Sequence, residues 1–520
     1  MRKSKTMVGF LTTLILVLTT FVISIGIYIN GNFENQNLDE MIYYLFNGLE
    51  GTSIDVLTSA IQTSVIPFMF TLFLLYLPIL RPNKRKHSIE LVFRKKKRAF
   101  SVFPINILYK FRLLYALGMF LLSLILCFYL LGIREYLNRL NDYSTIFEEY
   151  YISGKDIAIT FPSEKRNLII LYLESLENTM ISEENGGGWE YTVIPELENL
   201  AVQNINYSNT EQIGGALPIT GTGWTVAGLV ATTSGIPLKI PIHGNDYTSS
   251  DNFLAGAHTL GDVLEKEGYH LEFMVGSEAG FGGRSNYYTK HGGYEIFDVK
   301  TAIEEGKMLD TERAGWGFDD SHLFTWAKEE ITELASQKEP FSFSFLTVNT
   351  HFPDGYLEGS AESNYESQYE NVHAYSSKQV DEFVGWLKEQ DFYDNTTLVI
   401  LGDHLSMQDP EFYQSHLKSG YIRTIYNAIV NSPVEPIHPT NRNFTSLDMY
   451  PTILASIGVE IEGNRLGLGT NLFSTKETLV EELGYDYFNK ELTKNSNFYN
   501  RNILQGDYLD LLNQSQVVGE

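Results

Sequence analysis

The chain has 520 residues, of which 43% are apolar and 20% charged, with 16 prolines, a composition that excludes disordered, proline-rich and collagen-like classes. Its length leaves room for about three domains of ordinary size and for a large buried core. Acidic residues outnumber basic ones by 64 to 38, giving a net charge of −26, so no nucleic-acid partner is expected: the protein's own field repels phosphates.

The charge is divided unevenly. Residues 1–133 carry 14 basic and 6 acidic groups, a net of +8, which leaves 24 basic and 58 acidic groups for residues 134–520, a net of −34. The one cysteine, Cys127, lies inside an apolar run, which excludes an intrachain disulfide, a cysteine zinc site and a thiol nucleophile in the acidic part.

Three uncharged stretches come first: Thr6 to Phe33, Val56 to Leu80 and Leu113 to Ile133. Each is long enough for a helix across a bilayer, which needs about 20 apolar residues. They predict a membrane domain over 1–133 with helices at about 7–29, 56–80 and 113–133. The sequence after the first, IYINGNFENQ, lacks a small-x-small cleavage pattern, so an uncleaved anchor is expected rather than a signal peptide. Basic residues concentrate at Arg2, Lys3 and Lys5 and in the loop RPNKRKHSIELVFRKKKR (81–98). Basic loops stay in the cytoplasm, so the third span runs outward and residues 134–520 face the exterior, a multi-pass protein of the cell membrane. A stem rich in Tyr, Asn and Glu follows at 134–165.

Beyond residue 165, four short aliphatic and β-branched runs read as strands: Asn167 to Ser175, His270 to Ala279, Phe341 to Phe352 and Thr396 to Leu405. Helical patterns alternate with them at 258–268, 320–337 and 374–390. Alternation of this kind predicts an α/β domain with a mostly parallel central sheet covered on both faces. Ligands bind such sheets beyond the carboxyl ends of the strands. All four runs end in groups capable of chemistry: Glu174, the Ser277-Glu278 pair, His351, and Asp403 with His404.

Carboxylates from Glu174 and Asp403 with imidazole from His404 form a mixed oxygen and nitrogen set that suits Mn²⁺, Mg²⁺ or Zn²⁺. The competing reading makes Asp403 a strand-end cap and Glu174 a surface carboxylate beside the equally polar Ser175 and Glu177. The glycine-rich segment from Gly214 to Lys239 reads as a loop entering a small-residue helix at Thr225. A hydroxyl there can serve as a metal-activated nucleophile or as an ordinary helix cap.

On the stretches NLIILYLESLE (167–177), GTGWTVAGLVATTSGIPL (221–238), TVNTHFPDG (347–355), LVILGDHLSM (398–407) and SLDMYPTILASIGVEIEGNRLGLGTNLFS (446–474), the chain resembles the membrane-anchored phosphoglycerol transferases. These are relatives of lipoteichoic acid synthase within the alkaline phosphatase and sulfatase superfamily. The resemblance covers about 166–475, taken as the catalytic domain, with 476–520 as a C-terminal extension. It implies that Glu174, Thr225, Asp403 and His404 hold one divalent ion, commonly Mn²⁺. It also implies that Thr225 is the nucleophile, with Thr222 as runner-up, that His351 binds substrate, and that Arg284 in FGGRSNYY binds phosphate. The chain departs from the polymerising synthases before Arg284, where VGSEAGFGGR lacks the histidine and tryptophan expected near it.

The implied reaction moves phosphoglycerol from phosphatidylglycerol to an extracytoplasmic glycan through a glycerophosphate carried on threonine. The alternatives within the fold are a phosphoethanolamine transferase, a metal-dependent phosphodiesterase and a sulfatase-like hydrolase; the formylglycine setting C/S-x-P-x-R of sulfatases is absent from the sequence. A non-catalytic wall-associated protein is a further alternative.

Overall fold

The computed structural model describes residues 2–32, 54–79, 88–93, 96–101, 106–239 and 253–506. The chain divides near residue 138 into two compact units. In the first, helices α1 (Arg2–Asn32), α2 (Ile54–Tyr76) and α3 (Arg112–Leu130) coincide with the three uncharged stretches. Within α1, Thr6–Ile27 is long and apolar enough to cross a membrane, and so is α3. These two helices support membrane anchoring. The described apolar part of the middle stretch is shorter, Ser64–Ile79, and the rest of that expected span lies outside the residues whose side chains are described. Residues 88–93 and 96–101 of the basic region pair as an antiparallel ribbon.

The second unit is built on a six-stranded sheet. Its strands are β1 (Asn167–Leu173), β2 (His270–Val275), β3 (Glu295–Phe297), β4 (Phe341–Leu346), β5 (Thr396–Gly402) and β6 (Asn427–Val430), in the spatial order 3-2-4-1-5-6. All pairings are parallel except that of β6 with β5. The four runs read from the sequence are the inner strands, and the short β3 and β6 close the two edges.

Because both faces are covered, β1, β4 and β5 are buried along their whole length and read as continuous apolar runs. Their side chains still alternate. Leu168, Ile170 and Tyr172 of β1 join the core on one face, where helix α4 (Thr225–Ser234) contributes Val226, Leu229 and Val230. Ile169, Leu171 and Leu173 join the core on the other, with Leu323, Phe324 and Ile331 of a helix at Asp320–Ser336 and Val380, Phe383 and Leu387 of one at Gln368–Lys388. Each such side chain contributes about 1.5–3 kcal/mol by burial.

The pattern at 258–268 corresponds to helix α5 (Leu260–Lys266), started by a reciprocal capping box between Thr259 and Asp262. That at 320–337 corresponds to α6 (Asp320–Ser336), capped by Asp319. The third helix, α7 (Gln368–Lys388), starts six residues before its sequence pattern at 374, because Tyr369, Val372 and His373 already continue the buried stripe toward Ser376 and Val380. Phe147 of the expected stem and Leu479, Phe488, Leu492, Tyr499 and Ile503 of the expected C-terminal extension are part of the α4-side core.

Candidate functional site

The carboxyl ends of β1, β4 and β5 converge. β1 delivers Glu174, 2% exposed, and the chain then turns at Ser175, whose φ of +56° lies in the left-handed region. β5 delivers Asp403 and His404, both buried. Asp403 Oδ1 accepts the backbone N–H groups of Ser175 and His404, each at 2.8 Å. Asp403 Oδ2 is buried with no hydrogen-bond partner. His404 Nδ1 pairs with the Leu405 carbonyl at 2.8 Å, a contact that fixes the proton on Nδ1 and leaves Nε2 as a ligand atom. Nε2 lies 3.4 Å from both Asp403 Oδ2 and Glu174 Oε1.

Thr225 is the first residue of α4, after Trp224 in extended conformation. Its hydroxyl donates to Glu174 Oε2 at 3.1 Å and lies 3.5 Å from His404 Nε2. The helix can approach this closely because Gly228 has no side chain: a Cβ there would stand 2.1 Å from the Asp403 carbonyl oxygen. Thr222, three residues earlier, is buried and its hydroxyl donates to the Ile219 carbonyl at 2.8 Å.

Ligand atoms of Glu174, Asp403 and His404 lie within 4.8 Å of one another, as a metal site requires. A buried carboxylate oxygen without a partner is costly unless a cation or proton satisfies it, so the orphaned Asp403 Oδ2 fits a bound ion, and the two carboxylates with imidazole fit a divalent one. The electrostatics agree. Burial, and then the charge of Glu174, push the Asp403 carboxyl up. For Glu174, burial is outweighed by the hydrogen bond from His404 and the charges of His351 and His404, which hold it well below the usual carboxylate range. His404 is driven to about 10, burial being overcome by Asp403 and Glu174. Two carboxylates thus compete for one positive charge, the place a metal ion would take.

His351 follows β4, and its Nδ1 pairs with the Phe352 carbonyl at 2.7 Å. Burial lowers its pKa against the opposing effect of Glu174. Its loop is fastened to β1 by two hydroxyls: Thr347 accepts the Glu174 N–H at 3.0 Å and Thr350 donates to the Glu174 carbonyl at 2.6 Å. On the other side Asp320 accepts the amides of Val348 and Asn349, at 2.8 and 3.2 Å.

Arg284, 5% exposed, starts a helix after Gly282 and Gly283, both in the left-handed region. It donates to Ser277 Oγ and to the carbonyls of Glu278 and Phe281, and its charge acts on His351. Thr225 thus contacts Glu174 and His404, and His404 lies 3.4 Å from both carboxylates, whereas His351 is within electrostatic reach of Glu174 and Arg284.

Trp316, which carried no signal in the sequence, packs against His351 with ring centroids 4.4 Å apart and against Phe281 at 5.4 Å. A tryptophan thus stands beside Arg284's loop although the segment before Arg284 lacks one; it arrives from a distant loop joined to Ser277 by a bridge at Gly317. Glu174 is buried rather than a surface carboxylate, and so is Glu177. Glu177 is held by Arg423 at 2.6 and 2.7 Å, and both residues bond the backbone of Ser406, just beyond His404.

A parallel sheet with carboxylates, imidazole and a hydroxyl gathered at its carboxyl edge defines an α/β protein with a buried site of catalytic type. The sulfatase family model matches residues 166–459, more than half of the chain, and the chain belongs to that family. Among curated relatives, phosphoglycerol transferase I of Escherichia fergusonii is 30% identical over 335 residues, 63% of this chain and 41% of that protein. The same-named protein of Salmonella choleraesuis is 29% identical over 346 residues, 65% of this chain and 42% of its own. The chain thus spans less than half the length of these relatives. Solved structures similar to it include the lipoteichoic acid synthase LtaP of Listeria monocytogenes, with 19% identity, a TM-score of 0.49, and coverage of 62% of this chain and 82% of that one. Another is the integral membrane lipooligosaccharide phosphoethanolamine transferase A of Neisseria meningitidis, with 13% identity, a TM-score of 0.48, and coverage of 85% and 84%.

Proposed function

We propose that the chain is a membrane-anchored, divalent-metal-dependent phosphotransferase that moves phosphoglycerol from phosphatidylglycerol to an extracytoplasmic glycan through Thr225. The observation that carries this reading is the Thr225 hydroxyl at a helix N-terminus, 3.1 Å from a buried carboxylate and 3.5 Å from His404 Nε2. Similarity to phosphoglycerol transferase I supports the choice of headgroup.

Glu174, Asp403, His404 and Thr225 would hold the ion, with Mn²⁺ the expected occupant and Mg²⁺ or Zn²⁺ compatible with the same donors. When bound, a divalent ion there lowers the hydroxyl's pKa and offsets phosphate charge. Thr225 Oγ1, oriented by its hydrogen bond to Glu174 Oε2, attacks phosphorus and its proton passes to solvent. The bond from phosphorus to the diacylglycerol oxygen breaks, that oxygen takes up a proton from solvent, and glycerophosphate remains on Thr225. Amides of the first turn of α4 and the fixed charge of Arg284 face the developing negative charge. A glycan hydroxyl then attacks the same phosphorus and Thr225 leaves. His351, kept neutral by burial with Nδ1 committed to Phe352, offers Nε2 as the base for that hydroxyl's proton.

The basic residues at 2–5 and 81–98 support a reading of three spans in which residues 134–520 lie outside the cytoplasm, on the side of the donor lipid. The test is to incubate the full chain in detergent with fluorescent phosphatidylglycerol, with and without Mn²⁺. Labelled diacylglycerol should appear only with the metal, and the phosphoglycerol should be recovered on an added glycan. Metal-independent release, or none, contradicts the reading, and release with the headgroup found only as free glycerophosphate makes the chain a phosphodiesterase.

A further inference from the structure

Ser175 joins the two carboxylates of the site. Its backbone N–H donates to Asp403 Oδ1 at 2.8 Å, and its hydroxyl donates to Glu174 Oε1 at 2.7 Å. One oxygen of each carboxylate is thereby engaged. The oxygens that Ser175 leaves are Glu174 Oε2, which meets the Thr225 hydroxyl, and Asp403 Oδ2, which accepts no hydrogen bond and lies 3.4 Å from His404 Nε2.

The engagement matters because the terminal torsion of a glutamate is broad and nearly two-fold, so the side chain alone does not choose which oxygen it presents. Asp403 is fixed by two amides, those of Ser175 and His404. For Glu174, the hydroxyl of Ser175 settles which oxygen is engaged. Serine is also an unfavourable residue for this turn. At a φ of +56° glycine is the ordinary choice. Ser175 is fully buried, so solvation does not account for its hydroxyl. A backbone conformation that disfavours a side chain, retained with a side chain whose hydrogen bond is to a site carboxylate, marks a positioning role.

We infer that Ser175 is a positioning residue that aims Glu174 Oε2 and Asp403 Oδ2 together at one divalent cation and at Thr225. The inference rests on the metal site proposed above. It separates two jobs within one residue: the backbone N–H orients Asp403, and the hydroxyl orients Glu174. Outer hydrogen bonds of this kind change metal affinity by about 10- to 100-fold when removed.

The experiment compares the full chain in detergent with Ser175→Gly, Ser175→Ala and Glu174→Gln. It measures Mn²⁺ affinity by titration, the EPR signal of bound Mn²⁺, and the melting temperature without metal. Ser175→Gly keeps the N–H, removes the hydroxyl and suits the left-handed turn, so it guards against a misfolded Ser175→Ala. The expected result is Mn²⁺ binding at least tenfold weaker in Ser175→Gly with an altered EPR signal, no loss in metal-free melting temperature, and no binding in Glu174→Gln. Wild-type affinity and signal in Ser175→Gly, with binding lost in Glu174→Gln, overturn the role of Ser175 and leave the metal site standing. Binding unaffected by Glu174→Gln overturns the site itself and the inference with it.

Discussion

Two threonines three residues apart were both candidates for the nucleophile, and their surroundings separate them. Thr222 spends its hydroxyl proton on the Ile219 carbonyl and is buried, whereas Thr225 directs its hydroxyl at Glu174 Oε2. Thr222→Ala should therefore keep most diacylglycerol release and lose about 1 kcal/mol of stability, the net value of one buried hydrogen bond. Thr225→Ala should lose release by at least about a thousandfold with a similarly small change in stability. A fluorescent lipid assay paired with thermal melts reads both effects. Inactive Thr222→Ala that melts like the wild type would move the nucleophile.

Within the sheet, β2 carries an acidic group toward other acidic groups. Glu272 is 6% exposed, and burial followed by the charges of Glu330, Glu295, Glu333 and Glu305 raises its carboxyl to about 8. A folded-state pKa above the unfolded value of 4.5 means that the folded form favours the protonated acid. This contribution to stability is fully present below 4.5 and is lost as pH rises through about 8. Glu272→Gln does not titrate, so its melting temperature relative to wild type should rise between about pH 5 and about pH 8.5. Equal differences at both values would contradict the assignment. The four inner strands were legible because they are apolar runs punctuated by polar ends. The edge strands β3 and β6, three and four residues long, are too short to carry a period. The site was legible where strand ends placed Glu174, His351, Asp403 and His404. Ser175, Thr347 and Thr350 gave no signal because their contacts cross between strands, and Trp316 gave none because its neighbours come from separate loops. The start of α7 was missed because QYENVH looks polar although its Tyr369, Val372 and His373 are buried.

Across the whole molecule, a basic N-terminal part with apolar helices precedes an acidic α/β unit, and the positive-inside distribution predicts that the second is outside the cytoplasm. Protease added to spheroplasts should digest residues 134–520 while a tag at residue 1 survives; the opposite pattern would reverse the topology. The proposed transfer turns on a bond between phosphorus and Thr225. Mass spectrometry of the full chain quenched during turnover of phosphatidylglycerol with Mn²⁺ tests it most directly. A glycerophosphate adduct on the peptide containing Thr225, absent from Thr225→Ala and discharged by added glycan, is the predicted result. An adduct on Thr222, or full turnover by Thr225→Ala, would contradict it.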